Sequence, residues 1–385
     1  MRVLILGGDG YLGWPTSMYL SAKGHEVAVV DNMAKRTWEA EISVEPLSPI
    51  RPLHQRIKRW QELTGRSIKS YIGDIAENHR FVYKVLEGFQ PDAVIHYAEQ
   101  PSAPYSMIDR DRCVFTQRNN VLGTLNVMFA LQHTNPDIHM VKLGTMGEYG
   151  TPNIDIEEGW LELEHRGRRD RVLYPKKPGS FYHLSKVHDS ANLEFACRIW
   201  GMRVTDLNQG VVYGIETEET KLHPDLETSF HYDSVFGTVL NRFVVQAVAG
   251  FPLTVYGKGG QTRGFLNIRD TLQCVELALM NPADRGEFRV FNQFTEQFDI
   301  MGLAERVVAA ASSVGITPTI EHLQNPRVEL EEHYYNAIHS ALPSLGLKPH
   351  LLTEDVIVNM IDLVRRNLHR IDRDVLVPSV MWKQK

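Results

Sequence analysis

Short apolar runs alternate along this chain with stretches in which apolar positions recur every three or four residues. "MRVLILGG" reads as a strand buried on both faces, because its apolar run is continuous and ends in glycines. "YLGWPTSMYLSAKG" follows as a helix closed by Gly24, and "HEVAVVD" as a second strand. Residues 34–70 form a long connection with some helical periodicity. "SIKSYIGDI", "DAVIHYA", "HMVKLGT" and "MRVTDLNQG" give further strands, with helices over 115–133 and 182–200 between the later ones. Strand–helix alternation predicts an α/β fold with a doubly wound parallel sheet. Beyond about residue 210 the pattern is mixed. The reading is therefore a domain over 1–210, to which later segments can return, and a smaller mixed α/β C-terminal lobe over 211–385. The polar stretch 151–180 reads as a loop or small hairpin able to act as a lid.

Composition changes this picture little. The chain has 385 residues, 43% of them apolar and 23% charged, with a net charge of −6. That balance offers no general attraction to nucleic acid or an anionic membrane. No run is long enough to span a bilayer. Three scattered cysteines give neither a disulfide pattern nor metal-ligand spacing, so the expectation is a cytoplasmic protein without a metal.

The chemistry begins at "GGDGYLG". Gly7, Gly10 and Gly13 follow the first strand and open a helix, with Tyr11 and Leu12 among them. Glycines there let a pyrophosphate approach the free N–H groups of the helix start, the Rossmann-type arrangement for a dinucleotide. Asp31 ends the second strand, where a carboxylate accepts from a ribose and repels a 2′-phosphate, favouring NAD over NADP. Asn32 lies beside it, and Lys35 and Arg36 are near enough to weaken that preference. Asp74 and Ile75, after the third strand, suit an adenine contact, and Asp74 equally suits a helix cap. Asn119 and Asn120 fall at the start of a helical stretch, where one of them would be a cap.

"SFYHLSKVHDS" holds Tyr182 and Lys186 four apart, on one helical face. An ammonium there favours the phenolate of a group whose pKa is ordinarily about 10. Thr145, ending another strand, can hydrogen-bond the same substrate oxygen. Together they describe hydride transfer from an alcohol.

Those residues resemble the extended short-chain dehydrogenase/reductase family, in particular its nucleotide-sugar epimerases and dehydratases. "GGDGYLGWPT", "EQPSAPYSMID", "KLGTMGEYGTPNIDIEEG", "DLNQGVVYG", "TVYGKGGQTRG" and "NPRVELEEHYYN" are similar to the members that join UDP-glucose and sulfite into a sulfonated nucleotide sugar. The resemblance implies transient C4 oxidation by bound NAD, C5/C6 elimination, sulfite addition at C6 and reduction at C4. It implies a cofactor contact at Asn119, and substrate contacts at Gln100, Asn208, Gln209, Tyr256, Gln261, Arg263 and Arg327. The two arginines would clamp the diphosphate. It implies a homodimer or higher homo-oligomer, with helices 115–133 and 182–200 pairing two subunits.

Dehydratases of this family follow the threonine with an acid pair. Here Met146 and Gly147 stand in those places, and Glu148 comes next. One reading makes Met146 an apolar wall toward sulfite and His183 and Glu148 the proton carriers. The other has Met146 packing and Glu148 capping a turn. Pro101 replaces an arginine of the plant members. The alternatives are a 4-epimerase, a 4,6-dehydratase-like enzyme, and a non-catalytic NAD-binding sensor or scaffold.

Overall fold

The computed structural model describes residues 1–328 and 333–382. The N-terminal part runs β1 (Arg2–Leu6), α1 (Gly13–Ala22), β2 (Glu26–Asp31), α2 (Ala34–Glu41), α3 (Leu53–Thr64), β3 (Ile68–Ile72), α4 (His79–Phe89), β4 (Ala93–His96), α5 (Arg110–Thr134) and β5 (His139–Thr145). A hairpin of β6 (Trp160–His165) and β7 (Arg168–Leu173) precedes α6 (Phe181–Trp200), β8 (Arg203–Gln209) and β9 (Val211–Tyr213). Then come α7 (Val239–Val248), β10 (Leu253–Tyr256), β11 (Thr262–Asn267), α8 (Ile268–Met280), β12 (Phe288–Gln293), β13 (Glu296–Asp299), α9 (Ile300–Ser313), β14 (Ile320–Leu323), α10 (Ala341–Ser344) and α11 (Glu354–Arg366).

A seven-stranded parallel sheet in the order β12-β8-β5-β4-β1-β2-β3 forms the centre. The order reverses between β1 and β4, the switch point beyond whose strand ends a doubly wound sheet binds its ligand. Residues Val3–Leu6 of β1 and Ala93–His96 of β4 are buried, as expected of strands covered by helices on both faces. α4, α5 and α6 pack one face through Val85, Val127 and Leu193. α1 and α8 pack the other through Trp14, Met18 and Cys274.

The C-terminal lobe is not one block after residue 210. Its own core is built from α7, α9 and α11 around Phe243, Val307 and Ile361. However, α8 covers the central sheet, and β12 joins that sheet by pairing with β8, Val290 opposite Asp206. The stretch 151–180 holds the hairpin. Its base is tied to β12, with Trp160 Nε1 donating to Phe288 O at 3.2 Å. Helix α5 begins at Arg110 under an Asp109 cap, so Asn119 and Asn120 lie mid-helix and neither is a cap. Among the described residues, no helix is long and apolar enough to cross a membrane.

Candidate active site

A cleft of about 1020 Å³ runs across the carboxyl ends of the strands into the C-terminal lobe, at the upper end of the ~300–1,000 Å³ common for small-molecule sites. Its dinucleotide half starts at the turn after β1. Gly7 has a φ of +90°, and a Cβ on Gly13 would lie 1.8 Å from Gly7 O, so only glycine lets α1 sit this close to the strand. No side chain caps α1; Trp14 N donates to Gly10 O, Thr16 N to Leu12 O and Pro15 has no N–H, so the donors that remain for an anion are the backbone N–H groups at Tyr11, Leu12 and Gly13. Gly7, Gly10, Tyr11, Leu12, Gly13, Asp31, Asn32, Asp74, Ile75 and Asn119 all line the cleft. These residues fit a dinucleotide: an uncapped helix start for the pyrophosphate, and a carboxylate at the end of β2 for a ribose.

Asp31 is held by backbone donors, Asp9 N at 2.8 Å and Met33 N at 2.7 Å. Burial nonetheless pushes its carboxyl up. Asp74 does two jobs: it lines the cleft and accepts from Ala76 N at 2.8 Å and Glu77 N at 2.9 Å, while Asn78 caps α4. Arg36 does not line the cleft. Its guanidinium is bound to Asp9 at 2.8 Å and to the carbonyls of Ile50 and Arg51, which corrects its place among the cofactor contacts.

The catalytic half lies between β5 and α6. Thr145 ends β5 opposite Gln209 of β8. Ser180 caps α6, which fixes Tyr182 and Lys186 at its first turns. Lys186 Nζ donates to Leu143 O at 2.6 Å and pairs with Glu99 at 2.5 Å. The Tyr182 phenol is pushed up by burial and then by Glu99. His183 leans into the cleft across Gly147, where a Cβ would lie 2.3 Å from its Nε2. Burial, then the nearby Arg327 and Arg263, pull His183 down to about 3, so it is a neutral imidazole. Its Nδ1 has no hydrogen-bond partner among the described residues. Met146 lines the cleft and packs with Tyr149, Tyr174 and Phe294.

Glu148 is not on the cleft wall. It is fully buried, ion-paired to Lys176, bonded by Ser190 Oγ at 3.0 Å and 3.9 Å from Lys142 Nζ. With Thr145 it forms a capping box around the turn 146–148. The cap reading therefore replaces the expectation that Glu148 carries substrate protons.

Toward the C-terminal lobe, Gln209, Tyr256, Gln261, Arg263 and Arg327 all face the cleft. Arg263 donates to Thr262 O at 2.8 Å, and Arg327 lies over the Trp382 ring at 5.2 Å. Gln100 and Asn208 do not line it, a second correction. Gln100 is spent on Ser102 O and Thr116 Oγ1, and Asn208 donates to Tyr149 OH at 2.8 Å. Two charged residues that the motifs above give no role also line the cleft: Arg242, buried beside Tyr256 with its guanidinium 4.6 Å from the ring, and Glu99. An arginine inside the apolar run of α7 was a legible signal for the first. Glu99 adjoins Gln100 in "EQPSAPYSMID", and it is Glu99 that faces the cleft. Residues 329–332 of the "NPRVELEEHYYN" stretch lie outside the described residues.

This geometry, a parallel sheet with a glycine turn at one end of the cleft and a Thr/Tyr/Lys group facing it, fits an NAD-dependent enzyme acting on an alcohol. The chain belongs to the NAD dependent epimerase/dehydratase family, which it matches over residues 3–292. Among its relatives, it is 55% identical to the chloroplastic UDP-sulfoquinovose synthase of Spinacia oleracea, over all of this chain and 79% of that one. It is 44% identical to the UDP-sulfoquinovose synthase of Sulfolobus acidocaldarius, over all of this chain and 98% of that one. In structure it resembles the UDP-glucose 4-epimerase of Thermotoga maritima solved with UDP-glucose. The TM-score is 0.70 at 18% identity, covering 96% of this chain and all of that one, a likeness of fold.

Proposed function

We propose that the protein is a UDP-sulfoquinovose synthase that joins UDP-glucose and sulfite with NAD as its cofactor. The observation that carries this is identity of 55% and 44%, over all of this chain, to two such enzymes. Bound NAD would accept a hydride at C4 and return it. The residues to hold it are Gly7, Gly10 and Gly13 at the pyrophosphate, Asp31 at a ribose and Asn119 on the cleft wall.

The remaining work belongs to the chain itself. Tyr182 takes the C4 hydroxyl proton while Thr145 hydrogen-bonds the same oxygen. Once C4 is a ketone, the C5 proton is acidified because the carbanion delocalises as an enolate. His183, neutral and without a partner at Nδ1, is the group that moves protons at C5 and C6. Met146 presents an uncharged wall where a carboxylate would repel sulfite. Arg263 and Arg327 hold the diphosphate.

The same reading gives a cytoplasmic homodimer. α5 leaves Val114, Leu122 and Phe129 exposed, and α6 leaves Phe195 and Ile199 exposed, a pair of apolar faces for a four-helix contact. Mass spectrometry of reactions with UDP-glucose and sulfite tests the activity. A sulfonated nucleotide sugar that needs both substrates is expected. UDP-galactose, an unsulfonated 4-keto-6-deoxy sugar, or no turnover would each overturn it.

A further inference from the structure

Strand β4 ends in "VIH", and the chain then places Glu99 against the catalytic helix. An acid is rarely buried unless paired, and the Glu99 side chain is 2% exposed. It pairs with Lys186 Nζ at 2.5 Å and lies 3.9 Å from His96 Nε2. Neither oxygen has a hydrogen bond of good geometry, so the carboxylate meets Lys186 almost wholly as a charge. Glu99 also lines the cleft beside Tyr182.

A lysine four residues after a catalytic tyrosine favours the phenolate because its ammonium is an unopposed charge. Here a carboxylate sits on that ammonium. We propose that Glu99 is a positioning residue of the reaction, holding the Lys186 ammonium against Leu143 O and cancelling much of its pull on Tyr182. This rests on the reading of Tyr182 as the base, and goes beyond it in saying what sets that base's charge. The direction at Tyr182 agrees. After burial, Glu99 is the largest influence raising the phenol, and the main opposing cation is Lys142 rather than Lys186.

The other titratable groups around the pair are accounted for. His96 comes from β4, and burial holds it neutral at about 3. Lys142 comes from β5 and pairs with Glu148 and Asp206 of β8. Lys176 is taken by Glu148. On α6, burial and then Glu99 push Asp189 up, and His183 faces the cleft.

The test is Glu99→Gln in the NAD-loaded protein, read in two ways. Ultraviolet difference titration of tyrosinate, with Tyr182→Phe in each background as the blank, isolates Tyr182 from the other tyrosines. It needs no substrate, so its failure is separate from a failure of the proposed substrates. Glu99→Gln should lower the titration of Tyr182, and the acid limb of C4 oxidation should move down with it, by about one to three pH units. Glu99→Asp keeps the charge but draws it back by a methylene, so a smaller shift in the same direction is expected. It decides the matter where the glutamine variant does not fold. A rate lowered equally at every pH, with Tyr182 titrating as in the wild type, would make Glu99 a packing residue and overturn the proposal.

Discussion

Replacing Glu148 by glutamine separates structure from chemistry at the turn beside Met146. The substitution keeps the shape and removes the charge. Burial pushes the Glu148 carboxyl up, and Lys176 and Lys142 more than offset this, holding it below the usual carboxylate range. Lys142 and Glu148 are fully buried and the Lys176 side chain is 7% exposed, so the loss strands cations out of water. Breaking a buried pair by removing one partner costs about 3–5 kcal/mol. Against a typical stability of about 5–15 kcal/mol, that raises the unfolding constant by roughly two to four powers of ten. Urea unfolding should show a lower midpoint with an unchanged slope. The pH dependence has a definite sign. Because the folded pKa is depressed, the stabilisation is present above the ordinary carboxylate range and lost as pH falls through the folded value. The gap between wild type and variant should therefore close in acid. A variant as stable as wild type that oxidises C4 but forms no sulfonate would refute this reasoning and make Glu148 a proton carrier.

Tyr182→Phe should slow C4 oxidation by about a hundred- to ten-thousand-fold while NAD stays bound, measured by single-turnover reduction of the cofactor. Gly147→Ala places a Cβ 2.3 Å from His183 Nε2 and should turn the imidazole away. C4 oxidation should survive while sulfonate formation falls by about tenfold or more, read as a product ratio. Burial pulls His139 down to about 3. The unfolded chain binds that proton below about pH 6.5, so its burial costs stability progressively as pH falls from there toward 3. His139→Gln should flatten the fall in urea midpoint between about pH 7 and 5, and an unchanged slope would contradict the neutral, buried histidine. Gly13→Ala drives a Cβ into Gly7 O at 1.8 Å. Calorimetry should find NAD binding lost.

Strands β1, β2 and β4 were legible because each holds a continuous buried run, and the glycine turn because no other residue fits it, whereas β3 buries Ile68 alone and showed itself by its β-branched and aromatic residues. Helix α5 was read five residues short: its first turn, "RDRCV", is mostly polar and carries no apolar period. The return of β12 to the central sheet left no local mark, since pairing with β8 is a long-range contact. Of the two readings of Glu148, the cap had a mark in the sequence itself. Thr145-Met146-Gly147-Glu148 is a capping-box spacing, visible without coordinates. Gln100 and Asn208 failed for a different reason. Each stands beside a residue that does face the cleft, Glu99 or Gln209, and sequence proximity does not say which neighbour points inward.

On the proposed function, one pocket removes a hydride from C4 and returns it to the same carbon after sulfur is attached at C6. UDP-glucose deuterated at C4, incubated with the NAD-loaded protein and sulfite, tests it by mass spectrometry and NMR of the product. The predicted product carries sulfur at C6, keeps the deuterium at C4 and takes a solvent proton at C5. A sulfonated product that has lost its C4 deuterium, or one that keeps its original C5 hydrogen without exchange in heavy water, would contradict it.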